Sequence, residues 1–90
     1  MDSEVKYIYN KIMSFDWDDT KRRANLRLHA LDFVDAQQVL EGDVVIIKDE
    51  RRDYGEDRMI AYGRLCGRVT VVVYTMRGMA TRIISFRKAI

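Results

Sequence analysis

Two strand-like runs, Met59–Leu65 and Arg68–Thr75, are separated only by Cys66-Gly67. A two-residue link of this kind makes a tight hairpin, whose backbone reverses through positive φ and so favours glycine. The two runs must then lie antiparallel, in a register set by the turn. A second turn signal, Arg77-Gly78, precedes the run Ala80–Ser85, and Val44–Ile47 lies upstream of the charged loop Lys48–Asp57. These four runs predict a meander of antiparallel strands.

The preceding residues follow a helical period. Asp18 or Asp19 suits the N-cap of a helix running to about His29. Within it, Ala24, Leu28 and Leu31 form a narrow apolar stripe beside a polar stripe of Lys21, Asn25 and His29. A second helix is expected from Asp32, burying Phe33, Ala36, Val39 and Leu40 and stopping at Gly42. Ser14–Trp17 alternates like a short strand. Val5, Ile8, Tyr9 and Ile12 fit a helix after Ser3, although Val5, Tyr7 and Tyr9 also alternate as in a strand. Phe86–Ile90 reads as the start of a final helix. The expected fold is α+β: two N-terminal helices packed on one face of a twisted antiparallel sheet of about four strands. Its expected core includes Phe33, Val39, Leu40, Ile60, Val71, Val73 and Ile84. Phe15 and Trp17 are read as core rather than as base-stacking platforms.

Ninety residues without a linker, repeat or low-complexity stretch fit a single domain over residues 1–90. No apolar run approaches the ~20 residues a membrane helix needs, and no signal-peptide pattern opens the chain. The single cysteine, Cys66, cannot form an internal disulfide, which fits the cytoplasm. The net charge of +2 conceals a segregation: residues 1–50 sum to −4 and residues 51–90 to +6. From Arg58 onward there are seven basic side chains and no acidic one. Such a field suits a phosphate backbone or an acidic protein, or else a solvated basic face.

Few groups here can carry chemistry. One His and one Cys cannot supply a usual zinc ligand set. Asp16, Asp18 and Asp19 read as helix caps and dipole partners, with a magnesium site as the alternative. No phosphate loop or nucleophile elbow is present, and no cofactor is expected. His29 titrates near neutrality, which suits proton transfer, although a lone histidine near a helix C-terminus also serves as a cap. Glu56 and Arg58 stand two residues apart where a loop enters a strand, so both can share one face. There a carboxylate can take a proton and a guanidinium can brace a phosphate, or the two can form a simple surface pair. Arg82 and Arg87 flank Ile83-Ile84-Ser85, where guanidinium forks suit phosphate but also guard an edge strand.

Taken in order, these pieces resemble the BrnT toxins of bacterial type II toxin–antitoxin systems. The resemblance runs through Phe15-x-Trp17-Asp18-x-x-Lys21-x-x-x-Asn25-x-x-x-His29, then Asp32-Phe33 and Ala36. It continues through Arg52-x-Tyr54-Gly55-Glu56-x-Arg58, Gly63, Val73-Tyr74-Thr75-x-Arg77 and Arg82-Ile83-Ile84-Ser85-x-Arg87-Lys88-Ala89. The chain reads Leu28-His29-Ala30 where the family usually has Lys-His-Gly, and Phe86 where it usually has Ala. Residues 1–12 look like an N-terminal extension.

The resemblance implies a RelE-like fold and a metal-independent endoribonuclease that blocks translation. It also implies neutralisation by a cognate BrnA-type antitoxin, which alone reads the operator DNA. RNA cleavage without a metal uses the RNA's own 2′-hydroxyl, so it needs a base, an acid and cations. Glu56 and His29 are the available base and acid, in either order, and Arg58 and Arg82 would stabilise the developing charge. Lys21, Tyr54, Arg77 and Arg87 would hold flanking nucleotides. A non-catalytic nucleic-acid-binding module is the alternative.

Overall fold

The computed structural model describes residues 14–90, so the Val5–Ile12 pattern lies outside the described residues. The elements in chain order are β1 (Ser14–Trp17), α1 (Asp19–His29), a 3-10 turn (Phe33–Asp35) and α2 (Ala36–Glu41). There follow β2 (Val44–Asp49), β3 (Arg58–Leu65), β4 (Arg68–Arg77) and β5 (Ala80–Lys88). The four later strands form the expected antiparallel meander. At its first hairpin Cys66 and Gly67 both have positive φ, 51° and 77°, which matches the strand twist and pairs Leu65 with Arg68. The second turn is Gly78-Met79, one residue later than its sequence signal, because Arg77 is already paired with Ala80.

Three expectations need correction. The sheet has five strands and is mixed, in the order β1-β5-β4-β3-β2, because β1 pairs parallel to β5. Without β1, the first half of β5 would present unpaired backbone groups. The segment after Ser85 is strand rather than helix: Phe86 is fully buried and pairs with Val72. A register shift at Val73/Tyr74 leaves Ile84 as an extra residue on β5, which brings Ile83 and Phe86 to the same face. Third, α1 turns Asn25 of its polar stripe inward, while Lys21 stays exposed and His29 is half-buried. Asn25 is 8% exposed, whereas Leu28 is 77% exposed and Ala24 is exposed.

The Asn25 burial has a clear cause. β1 ends at Trp17, opposite Ile83, so the edge of β5 beyond it has no strand partner among the described residues. The Asn25 amide takes that place, donating to Phe86 O at 2.7 Å and accepting from Phe86 N at 3.2 Å. It also donates to Leu31 O, which folds the chain back after the helix. Asp18 caps α1 by accepting from Thr20 N and Lys21 N. Arg22 then forks onto Asp32, whose carboxylate caps the 3-10 turn through Val34 N. The second helix is thus a 3-10 turn followed by α2, and it ends at Gly42 as expected.

The helix-facing core gathers Phe33, Ala36, Val39, Ala61, Val72, Tyr74, Ile83 and Phe86, with Phe15, Trp17, Leu31 and Leu40 packed against it. Trp17 meets Phe33 edge-on. Of the expected core, Phe33, Val39 and Val71 are buried. Ile60, Val71 and Val73 line the other face of the sheet, because strand neighbours alternate and Ala61 and Val72 take the helix side. On edge strand β2, Val45, Ile46 and Ile47 are exposed. No helix among the described residues is long and apolar enough to cross a membrane.

Candidate active site

One row of residues crosses the whole sheet. Asp49 pairs with Arg58, Arg58 with Thr75, Thr75 with Arg82, and Arg82 with Asp16. Residues paired in register share a face, so the row lies on the face away from the helices. Arg58 and Arg82 stand two strands apart, about 10 Å between backbones at the usual strand spacing. Thr75 lies between them and donates its hydroxyl to Asp57 O, holding the loop where it enters β3.

The loop from Glu50 to Asp57 delivers the other groups. Glu56 lies between two guanidiniums, 3.6 Å from Arg58 Nε and 3.5 Å from Arg77 Nη2. These are ion-pair distances, too long for strong hydrogen bonds. The Arg58 guanidinium sits 4.2 Å over the Tyr54 ring. The Tyr54 hydroxyl donates to Asp49, whose carboxylate also binds Arg51 through Nε and Nη2, both at 2.8 Å. These Arg51 hydrogen bonds, with that from Tyr54, hold the Asp49 carboxyl well below its usual range despite its burial. Arg82 Nη1 lies 3.4 Å from Asp16 Oδ1.

Two buried side-chain atoms among the described residues lack a hydrogen-bond partner, Arg58 Nε and Asp16 Oδ1. Both lie in this row. Native interiors rarely leave such groups unpaired, and an unpaired guanidinium N–H is suited to an anionic oxygen. Beside the row, Ile47, Ile60, Tyr62, Val71 and Val73, with Lys48, Arg51 and Arg87, line a shallow cleft of about 280 Å³.

The structure therefore brings Glu56, Arg58, Arg77 and Tyr54 into contact and sets Arg82 in the same row. Lys21 and His29 stand one helical turn on either side of Asn25, beside the later half of β5. Phe86 is four residues beyond Arg82, about 13 Å along a strand. Neither Lys21 nor His29 forms a side-chain hydrogen bond or ion pair among the described residues. Arg87 follows Phe86 and is exposed.

Sequence alone does not mark Asp49 or Arg51, gives Thr75 only as part of a motif with no role in the site, and offers Asp16 only as a capping residue or metal ligand. Hairpin register could have found Thr75, since Cys66-Gly67 sets it opposite Arg58. Nothing local marks Asp16, which meets Arg82 only through the β1–β5 pairing. The carboxylates of the Asp16–Asp19 segment diverge: Asp16 faces Arg82, Asp18 caps α1, and Asp19 pairs with Arg22 and Arg23. Among the described residues no group of three or more His, Cys, Asp or Glu side chains is placed to hold a metal ion.

Comparison with curated proteins found no match. Comparison with protein families matches residues 17–90 to the family described as ribonuclease toxin, BrnT, of type II toxin–antitoxin system. The match takes in the helix stripe, the Glu56–Arg58 loop and the arginines of β4 and β5. A toxin of this type acts on RNA and is held by a protein antitoxin. The chain belongs to the BrnT family of ribonuclease toxins.

Proposed function

We propose that the chain is a metal-independent endoribonuclease that cuts RNA by attack of its own 2′-hydroxyl on the adjacent phosphorus, and that it thereby inhibits translation in the cytoplasm. Glu56 takes the proton from the 2′-hydroxyl as the new P–O bond forms. The P–O5′ bond breaks, and the leaving oxygen takes a proton from His29, which RNA binding must bring from beside Phe86 to the Arg58–Arg82 row. Arg58 and Arg82 stabilise the charge that builds on the phosphorane. Lys21, Tyr54, Arg77 and Arg87 hold flanking nucleotides. The observation that carries this reading is the buried Arg58 Nε, which has no hydrogen-bond partner and stands 3.6 Å from the Glu56 carboxylate, in one row with Arg82. The partner that restrains this site is an antitoxin of the BrnA type, and operator DNA is bound through that partner rather than by this chain.

The test is cleavage of end-labelled RNA by the purified protein in the presence of EDTA, with analysis of the product ends. The expected products carry 2′,3′-cyclic phosphate and 5′-hydroxyl termini. Positioned acid–base catalysis contributes about 10²–10⁴-fold, so Glu56→Gln and His29→Ala should each slow cleavage by that order with RNA affinity retained. Loss on Glu56→Gln alone would move the acid role away from His29. Inhibition by EDTA with 5′-phosphate products would overturn the mechanism, and retardation of RNA without cutting would favour a non-catalytic binding module.

A further inference from the structure

We infer that Asp49 is a positioning residue for Arg58, acting through Tyr54; the inference rests on the reading of Arg58 as a group that stabilises the phosphorane charge. Asp49 is the last residue of β2 and the ladder partner of Arg58. A carboxylate opposite a guanidinium ordinarily pairs with it directly. Here it does not. Oδ1 accepts from Arg51 N at 3.1 Å and Arg51 Nε at 2.8 Å, and Oδ2 accepts from Arg51 Nη2 at 2.8 Å and Tyr54 OH at 2.9 Å. Both oxygens are occupied, and the side chain is 2% exposed while that of Arg51 is 75% exposed.

Two consequences follow for Arg58. Its ladder partner Asp49 is already engaged, so among the described residues the carboxylate left to Arg58 is Glu56, 3.6 Å from Nε and too far for a strong hydrogen bond. The guanidinium sits over the Tyr54 ring, whose orientation is fixed by the hydroxyl bond to Asp49. An arginine side chain has large rotamer freedom, and contact with an aromatic face restrains it while leaving N–H groups for a phosphate. Arg58 Nε, which has no hydrogen-bond partner and stands 3.6 Å from Glu56, is what such an arrangement leaves to donate to a phosphate oxygen. The same carboxylate anchors the start of the loop that carries Glu56. Asp49 touches no substrate in this scheme; it holds the ring that holds the cation.

The experiment is a double-mutant cycle on RNA cleavage. Tyr54→Phe keeps the aromatic face and removes only the hydroxyl; Asp49→Asn removes the charge and part of the bonding. Each should lower kcat by about tenfold, the worth of one hydrogen bond, with a smaller change in KM for RNA, since both variants keep the Tyr54 ring that holds a nucleotide. In an Arg58→Ala background neither substitution should cause further loss, because no guanidinium remains to be positioned. A merely structural role would give the same fractional loss in both backgrounds and would overturn the inference.

A second readout does not depend on cleavage. The Arg58 Nε–H resonance should be shifted by the Tyr54 ring and should move toward that of an exposed arginine in both variants. An unmoved resonance would also overturn the inference. If the unmodified protein does not cut RNA, the proposed function fails and the resonance alone decides the positioning role. If Asp49→Asn does not fold, Tyr54→Phe carries both measurements.

Discussion

Replacing Ala30 with glycine should stabilise the protein. Ala30 closes α1 in the left-handed conformation, φ 60° and ψ 25°, with its N–H bonded to Leu26 O at 2.9 Å. For an L-residue this conformation costs about 1–2 kcal/mol, through contact of Cβ with the following carbonyl. Glycine escapes that cost but adds about 0.5–1 kcal/mol of unfolded-chain freedom. Ala30 is exposed, so removing its methyl group sacrifices little packing. The net gain is about 0.5–1 kcal/mol, which for a domain of this size raises the midpoint by roughly 3–6 °C. Thermal and urea unfolding followed by circular dichroism would measure it, with an unchanged urea m-value. Ala30→Val should move the midpoint the other way, since a branched Cβ fits positive φ worse. A glycine variant no more stable than the parent would refute the argument that Ala30 holds strain.

Other substitutions test other contacts. Asn25→Ala should cost about 2–4 kcal/mol in urea unfolding, because it strands the N–H and C=O of the buried Phe86 as well as Leu31 O. Gly63→Ala would set a methyl carbon 2.7 Å from Val39 Cγ1 and 2.8 Å from Val44 Cγ1. That overpacking should cost about 1–3 kcal/mol, with partial recovery on adding Val44→Ala. The Asp49 carboxyl is held below its ordinary 3.8 by Arg51 and Tyr54, so its stabilisation is present above that value and lost as pH falls toward the folded-state value. The stability gap between the parent and Asp49→Asn should therefore stay constant from neutrality to about pH 5 and close in stronger acid.

Much of the fold was legible because its determinants are local. The Cys66-Gly67 turn must take two positive φ values, and covalent continuity then forces Arg58 opposite Thr75. The Asp18 cap and the Gly42 stop depend on residues within one helical turn. Glu56 and Arg58 converge because they are two residues apart at a strand entrance, so this part of the site could be read from spacing alone.

The misread features depend on contacts distant in sequence. Apolar spacing put Ala24 and Leu28 on the inner face of α1, but the open edge of β5 needed a donor and an acceptor, and Asn25 supplied both. Alternation marked Val71 and Val73 as core without saying which face the helices would cover; Ile60 and both valines line the far face. The tail Phe86–Ile90 has the pattern of a helix start, but Phe86 is buried against the helices as part of β5, beyond the extra residue at Ile84. By itself, then, the sequence determined the antiparallel meander as far as Ser85, the first hairpin register, the Asp18 cap and Gly42 stop, and the Glu56–Arg58 pair. Each follows from backbone sterics or hydrogen bonds within a few residues. Only the tertiary structure decided the parallel docking of β1, the covered face of the sheet, and the row joining Asp16 and Arg82 to Arg58 and Asp49. Those arrangements depend on which strand edge and which apolar face remain open once the rest of the chain has folded.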